Sequence, residues 1–118
     1  MRQTIKKYKD FIIQENNSVV KTPLFIIRSR PTLWDGNAKY GLVTTKKTFR
    51  LACERNRAKR LLRVWIRACE SLMNPDMDYI FIARTSILNT TLSIGIETMK
   101  KALQQLSNND EKNRPALN

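Results

Sequence analysis

Arg55-Asn56-Arg57-Ala58-Lys59-Arg60-Leu61-Leu62-Arg63-Val64-Trp65-Ile66-Arg67-Ala68-Cys69 is the stretch whose reading decides the fold. It lies in a run from about Leu51 to Met73 with neither Gly nor Pro, which predicts one long helix. At about 100° per residue with Leu61 at the origin, Ala58, Leu61, Leu62, Trp65, Ile66, Cys69, Leu72 and Met73 share an arc of about 140°. Asn56, Lys59, Arg60, Arg63 and Arg67 fall between about 160° and 260°, on the opposite side. Arg57 lies beyond one edge of that arc. Arg55, at about 120°, falls on the apolar side and escapes burial only by its place near the helix start.

Such a helix needs a core on one side and counterions on the other. From Arg55 to Arg67 there are six basic residues and no acid. A face that is merely solvated mixes signs, because i,i+4 ion pairs then form. Lys59, Arg63 and Arg67 recur every four residues, a stripe roughly two turns long that can follow a phosphate backbone. An Arg fork holds two phosphate oxygens at once, whereas Lys acts as a point charge. Asn56 both donates and accepts, so it can read a sugar hydroxyl or a base edge. Lys46, Lys47 and Arg50 stand just before the helix, where free backbone N–H groups and the dipole also favour an anion. The bland alternative for these three is a plain basic loop.

Composition agrees. The 118 residues carry 22 Lys plus Arg against ten Asp plus Glu, a formal charge of +12. A compact domain so charged repels itself unless it meets an anionic partner, and nucleic acid releases counterions when it binds. With 42% hydrophobic residues, including four Phe, three Tyr and two Trp, the chain can still build one modest core. The absence of His removes the commonest general acid–base and makes a zinc site unexpected. No paired carboxylates or Gly-rich phosphate loop occur, so no catalytic residues and no protein-held metal are expected on the chain. Cys53 and Cys69, on one helix, would stand about 24 Å apart, too far for a disulfide. They read as thiols in a reducing compartment. No apolar run reaches signal-peptide or membrane-span length, so the expected location is cytoplasmic, with no membrane partner.

Outward from the helix, Thr4 to Gln14 reads as a short helix with Ile5, Tyr8, Phe11 and Ile12 on one side. Glu15 to Ser18 is a polar break. Pro23 to Ser29 and Lys39 to Thr45 read as strands. The turn formers of Pro31 to Ala38 between them suggest an antiparallel hairpin. Asn74-Pro75-Asp76 ends the central helix. Asp78 to Arg84 is a nearly continuous apolar strand, as expected when both faces are covered. Thr90 or Thr91 caps a last helix to about Leu106, with Ile94, Met99, Ala102, Leu103 and Leu106 facing inward. Residues 1–107 make one domain, and 108–118 read as a disordered tail. The order α-β-β-α-β-α predicts a small α+β sandwich with helices packed on one sheet, in which the strands flanking the central helix can pair in parallel.

Gly41-Leu42-Val43-Thr44-Thr45-Lys46-Lys47, a spacer, then Arg55-Asn56-Arg57-Ala58-Lys59-Arg60-Leu61-Leu62-Arg63 resembles the signature of the protein component of bacterial ribonuclease P. Asp78 to Arg84 resembles that family's strand after the helix, and Asp10-Phe11 its opening helix. The likeness spans about residues 8 to 106. Unlike many members, the spacer Thr48 to Glu54 contains no Gly. The resemblance implies a left-handed β-α-β crossover. It also implies an accessory subunit of an endoribonuclease whose RNA subunit, with bound Mg²⁺, removes the 5′ leader from precursor tRNA. Arg55, Asn56, Arg57, Lys59, Arg60 and Arg63 would then face the catalytic RNA. Phe11, Phe25, Ile27 and Tyr40 would be candidates for a cleft that holds the single-stranded leader, aromatic faces stacking on bases. The alternative for Phe11, Phe25 and Tyr40 is ordinary core packing. The expected partners are the catalytic RNA and precursor tRNA, with no protein partner required. The rival readings are a major-groove DNA binder, a ribosomal protein and a peripheral membrane protein.

Overall fold

The computed structural model describes residues 3–4, 18–31 and 39–113, with the side chains of residues 18–31 and 39–108. The strands are β1 (Gln3–Thr4), β2 (Ser18–Lys21), β3 (Phe25–Pro31), β4 (Lys39–Val43) and β5 (Met77–Ala83). The helices are α1 (Ala52–Cys69) and α2 (Leu92–Asn113), with short 3₁₀ turns at Glu70–Leu72 and Thr85–Asn89. The sheet runs β1-β4-β5-β3-β2. β4 pairs in parallel with β1 and β5, while β3 runs antiparallel to β5 and β2. Helices and sheet form the expected α+β arrangement, and β4-α1-β5 is the parallel unit anticipated around the central helix.

The apolar arc of α1 is the part that packs. Ala58, Leu62, Trp65, Ile66 and Cys69 are buried, and Leu61 is partly buried against the same core. Trp65 meets Phe25 at a ring-centroid distance of 6.1 Å, and Phe25 meets Phe81 edge-on at 6.4 Å. Met99, Ala102, Leu103 and Leu106 of α2 close the same core. The helix therefore settles over one sheet face because its 3.6-residue stripe and the strands' period of two both turn apolar groups inward.

Several expectations are corrected. The two strands on either side of Pro31 to Ala38 do not form a hairpin, because β5 lies between β3 and β4. β5 is the most continuously buried strand, so it takes the centre, where both its edges are paired. The hairpin that does form is β2–β3, and β2 begins at Ser18, the last residue of the expected polar break. Pro23 sits in its turn rather than in a strand. The Thr22 hydroxyl donates to Phe25 O at 2.7 Å and accepts from Phe25 N at 3.0 Å. Pro has no N–H for the ladder, and the Thr side chain supplies a substitute. Thr4 lies in β1, not at a helix start, and the rest of that expected helix, Phe11 included, lies outside the described residues.

In α2, Thr91 caps as expected, its Oγ1 accepting from Ile94 N at 3.3 Å. Ile94 is 54% exposed rather than inward-facing. The contact face is centred on its neighbour Gly95, a rotation of about 100° away. The helix also runs past Leu106 to Asn113, into the expected tail.

The two thiols differ sharply. Cys53 is exposed, and Cys69 is buried with its Sγ 3.8 Å from Ile96 O. Burial raises the Cys69 thiol above its ordinary range, and Lys100 offsets this only in part. One equivalent of a thiol reagent is expected to react with the folded protein at Cys53, the second only on unfolding, as read by mass spectrometry. Because burial favours the neutral thiol, the Cys69 contribution to stability is full below the ordinary thiol range and is lost as pH rises through the higher folded-state value.

Candidate nucleic-acid interface

The spacer ahead of α1 is held without glycine. Thr45 O accepts from Phe49 N at 2.9 Å, and Thr45 Oγ1 accepts from Thr48 N at 3.2 Å while donating to Thr48 Oγ1 at 3.0 Å. Phe49, 1% exposed, anchors the segment in the core. Arg55 completes the closure: its Nη1 donates to Phe49 O at 2.9 Å and Arg50 O at 3.1 Å. This accounts for an arginine on the apolar side of the helix. Its stem is half-buried, and part of its fork is occupied in fixing the approach to α1. Lys46, Lys47 and Arg50 are left exposed along that approach.

On α1 itself, Asn56, Arg57, Arg60, Arg63 and Arg67 are exposed, and Lys59 is half-buried. None of the four arginines forms an ion pair among the described residues. Lys59 to Arg67 extends about 12 Å along the axis. Three segments thus combine in one positive surface: the Lys46–Lys47 turn, the Arg50 approach and the outer side of α1. With no ion pair to these arginines among the described residues, this surface can bind a polyanion and is salt-dependent in doing so.

The sheet carries a second surface. Directly paired residues share a face, so the register sorts every strand position. Phe25, Ile27 and Ser29 of β3, Tyr79, Phe81 and Ala83 of β5, and Tyr40 and Leu42 of β4 all lie on the helix-covered face. Phe25 and Ile27 are 0% exposed and Tyr40 is 3% exposed. As folded, these three expected cleft residues belong to the core and offer no surface to a ligand.

The opposite face is arranged in rows. Val43, Ile82, Ile26 and Lys21 form the first. Gly41, Ile80, Arg28 and Val19 form the second. In the third, Asp78 Oδ1 accepts from Lys39 N at 2.7 Å, and Asp78 Oδ2 lies 3.5 Å from Arg30 Nε. Asp78 and Arg30 are buried, whereas Val43, Ile82, Ile26 and Arg28 are only half-buried. Arg28 and its apolar neighbours line this face, a surface that the sequence reading did not single out. The alternation from Phe25 to Arg30 could have identified them once Phe25 was assigned to the core.

The family model for ribonuclease P matches residues 2–107. The ribonuclease P protein component of Shouchella clausii is 28% identical over 105 residues, covering 88% of this chain and 82% of that protein. The corresponding component from Lactobacillus delbrueckii subsp. bulgaricus is 32% identical over 81 residues, covering 68% and 67%. The fold is similar to that of the Staphylococcus aureus RNase P protein (TM-score 0.71, 23% identity, 89% of this chain and 95% of that one). It is also similar to the Thermotoga maritima protein (TM-score 0.57, 20% identity, 76% and 80%).

Proposed function

The chain belongs to the ribonuclease P protein family, and from that premise we propose that it serves as the accessory protein subunit that assists a catalytic RNA in removing the 5′ leader from precursor tRNA in the cytoplasm. The observation that carries this reading is the acid-free outer side of α1, continuous with the Lys46–Lys47 turn. Arg57, Arg60, Arg63 and Arg67, with Asn56 and Lys59, take phosphates and sugar edges of the catalytic RNA. Arg55 contributes mainly by fixing the loop that precedes them. The open sheet face holds the single-stranded leader. Among the described residues no group of three or more His, Cys, Asp or Glu could hold a metal ion. The Mg²⁺ of the reaction is assigned to the RNA, and the protein raises its occupancy by shaping that RNA.

Reconstitution tests the reading. Added to a bacterial ribonuclease P RNA at low Mg²⁺, the protein is expected to increase precursor-tRNA cleavage; no gain over RNA alone removes the proposal. Arg57→Ala combined with Arg60→Ala is expected to weaken binding to the RNA roughly tenfold and to lower the salt slope by about one and a half to two charges. Unchanged affinity at physiological salt, with an intact circular-dichroism spectrum, takes the motif out of the interface.

A further inference from the structure

The entry to α1 lacks the usual means of fixing a chain as it turns into a helix. Its N-cap is Leu51, which makes no side-chain capping hydrogen bond and is 57% exposed. Ser, Thr, Asp or Asn at that place would accept from a first-turn N–H, and Leu cannot. Nor does the spacer from Thr48 to Glu54 hold a Gly or Pro that would set a turn. The substitute comes from inside the helix. Arg55 reaches back, and its Nη1 donates to the carbonyls of Phe49 and Arg50. Phe49 is the shared link: its side chain is seated in the core, its carbonyl is held by Arg55, and its N–H donates to Thr45 O. Thr45 Oγ1 accepts from Thr48 N and closes the same turn from within. Lys46 and Lys47 lie in the middle of that turn, both exposed. Two hydrogen bonds through Phe49 thus connect the guanidinium of Arg55 to the turn that carries the two lysines. Arg55 is half-buried where Arg57, Arg60 and Arg63 are exposed, and donors engaged on backbone carbonyls are not available to a phosphate.

We propose that Arg55 is a positioning residue for the catalytic RNA: by holding Phe49 and Arg50 it fixes the Lys46–Lys47 turn against the start of α1, so that turn and helix meet the RNA as one preformed surface. This rests on the RNA-interface reading above and deepens it, because the two segments are coupled through a residue that itself touches neither phosphate nor base. An anchored turn loses less conformational freedom on binding than a loose one, so its two charges act at nearly full strength. An arginine that contacted the RNA directly would act independently of those lysines.

The test is a double-mutant cycle on binding of the full chain to a bacterial ribonuclease P RNA, measured over a salt series. The variants are Arg55→Met, which keeps the apolar stem, Lys46→Ala with Lys47→Ala, and all three substitutions together. The lysine variant is expected to weaken binding about tenfold and to lower the salt slope by about one and a half to two charges. Arg55→Met alone is expected to reproduce most of that loss, about fivefold, with a slope change larger than its single charge accounts for. Added to the lysine variant, it is expected to cost less than about twofold, since coupled residues do not add. In the free protein, the Thr48 and Phe49 amides are expected to exchange faster in Arg55→Met while the helical circular-dichroism signal is retained. An Arg55→Met loss of the same size in both backgrounds makes Arg55 a direct contact and overturns the proposal, as does unchanged exchange at Thr48 and Phe49. If Lys46→Ala with Lys47→Ala leaves RNA affinity unchanged, the turn lies outside the interface, and it is that reading which fails and takes the proposal with it. Should Arg55→Met fold poorly, Arg55→Lys replaces it in the cycle, keeping the charge without the reach to both carbonyls. Full retention of affinity by Arg55→Lys with fast exchange at Thr48 and Phe49 also overturns the proposal.

Discussion

Gly95→Ala is expected to destabilise the protein by about 1 kcal/mol net, and this is a sign reversal for a helical position. Ordinarily Gly to Ala in a helix gains close to 1 kcal/mol, from backbone entropy and helix propensity. Here the added methyl would fall inside van der Waals contact with Cε2, Cζ2 and Nε1 of Trp65. Trp65 is 0% exposed and already touches Phe25, so the indole has nowhere to retreat. Gly95 therefore fixes how closely the first turn of α2 crosses α1. Overpacking of this kind costs about 1–3 kcal/mol and outweighs the propensity gain. Thermal or urea unfolding checks the sign. A double-mutant cycle with Trp65→Leu is expected to show strong coupling, because the smaller side chain makes room for the methyl. A stabilised Gly95→Ala protein would mean that the two helices do not meet at this point.

Asp78→Ala is expected to cost more, about 3 kcal/mol or above, because it removes one partner of a buried charge pair. Asp78 is 0% exposed. One carboxylate oxygen receives the Lys39 N–H at 2.7 Å, and the other stands 3.5 Å from Arg30 Nε. A single side chain thus links the starts of β4 and β5 to the end of β3. Without it the Lys39 amide loses its acceptor, and the Arg30 guanidinium remains buried beside an uncharged methyl. Asp78→Asn keeps an acceptor but not the charge, so its loss should be intermediate. Equal melting temperatures for wild type and Asp78→Ala would show that the pair contributes nothing. These effects act on folding and leave the basic surface of α1 unaltered in the folded fraction.

How far the sequence revealed all this depended on the range of the interactions involved. α1 was legible because its faces are set by local periodicity: the arc from Ala58 to Cys69 is the buried set, and Asn56, Arg60, Arg63 and Arg67 are exposed. β5 was legible from its continuous apolar run. Strand order was not, since the turn formers before Lys39 carry no information about what inserts between two strands. β2 was hidden because Ser18-Val19-Val20-Lys21 is short and half polar, and its partner lies across a Thr-Pro turn. Phe25, Ile27 and Tyr40 could not be sorted between cleft and core from the sequence, because aromatic and β-branched residues suit a core and a stacking surface equally well. Only the register decides between those roles, and it gives the open face to Ile26 and Arg28. Arg55 was flagged by its angle, but its hydrogen bonds to Phe49 and Arg50 depend on a loop shape that no periodicity encodes.

The place of β5 between β3 and β4 also governs the order in which the molecule can be assembled. Everything N-terminal to Met77 can be synthesised, and the β2–β3 hairpin can close, while the sheet still lacks its middle. Until β5 arrives, β3 and β4 each present a bare ladder of N–H and C=O groups, the template on which strands of other chains pair. The final insertion brings β5 back across the whole of α1 to pair with β3 and β4, a long-range closure that slows folding relative to a helical protein of this size. A nascent chain halted before Met77 is therefore an aggregation-prone species, and release of the last third of the polypeptide converts it into a closed sheet.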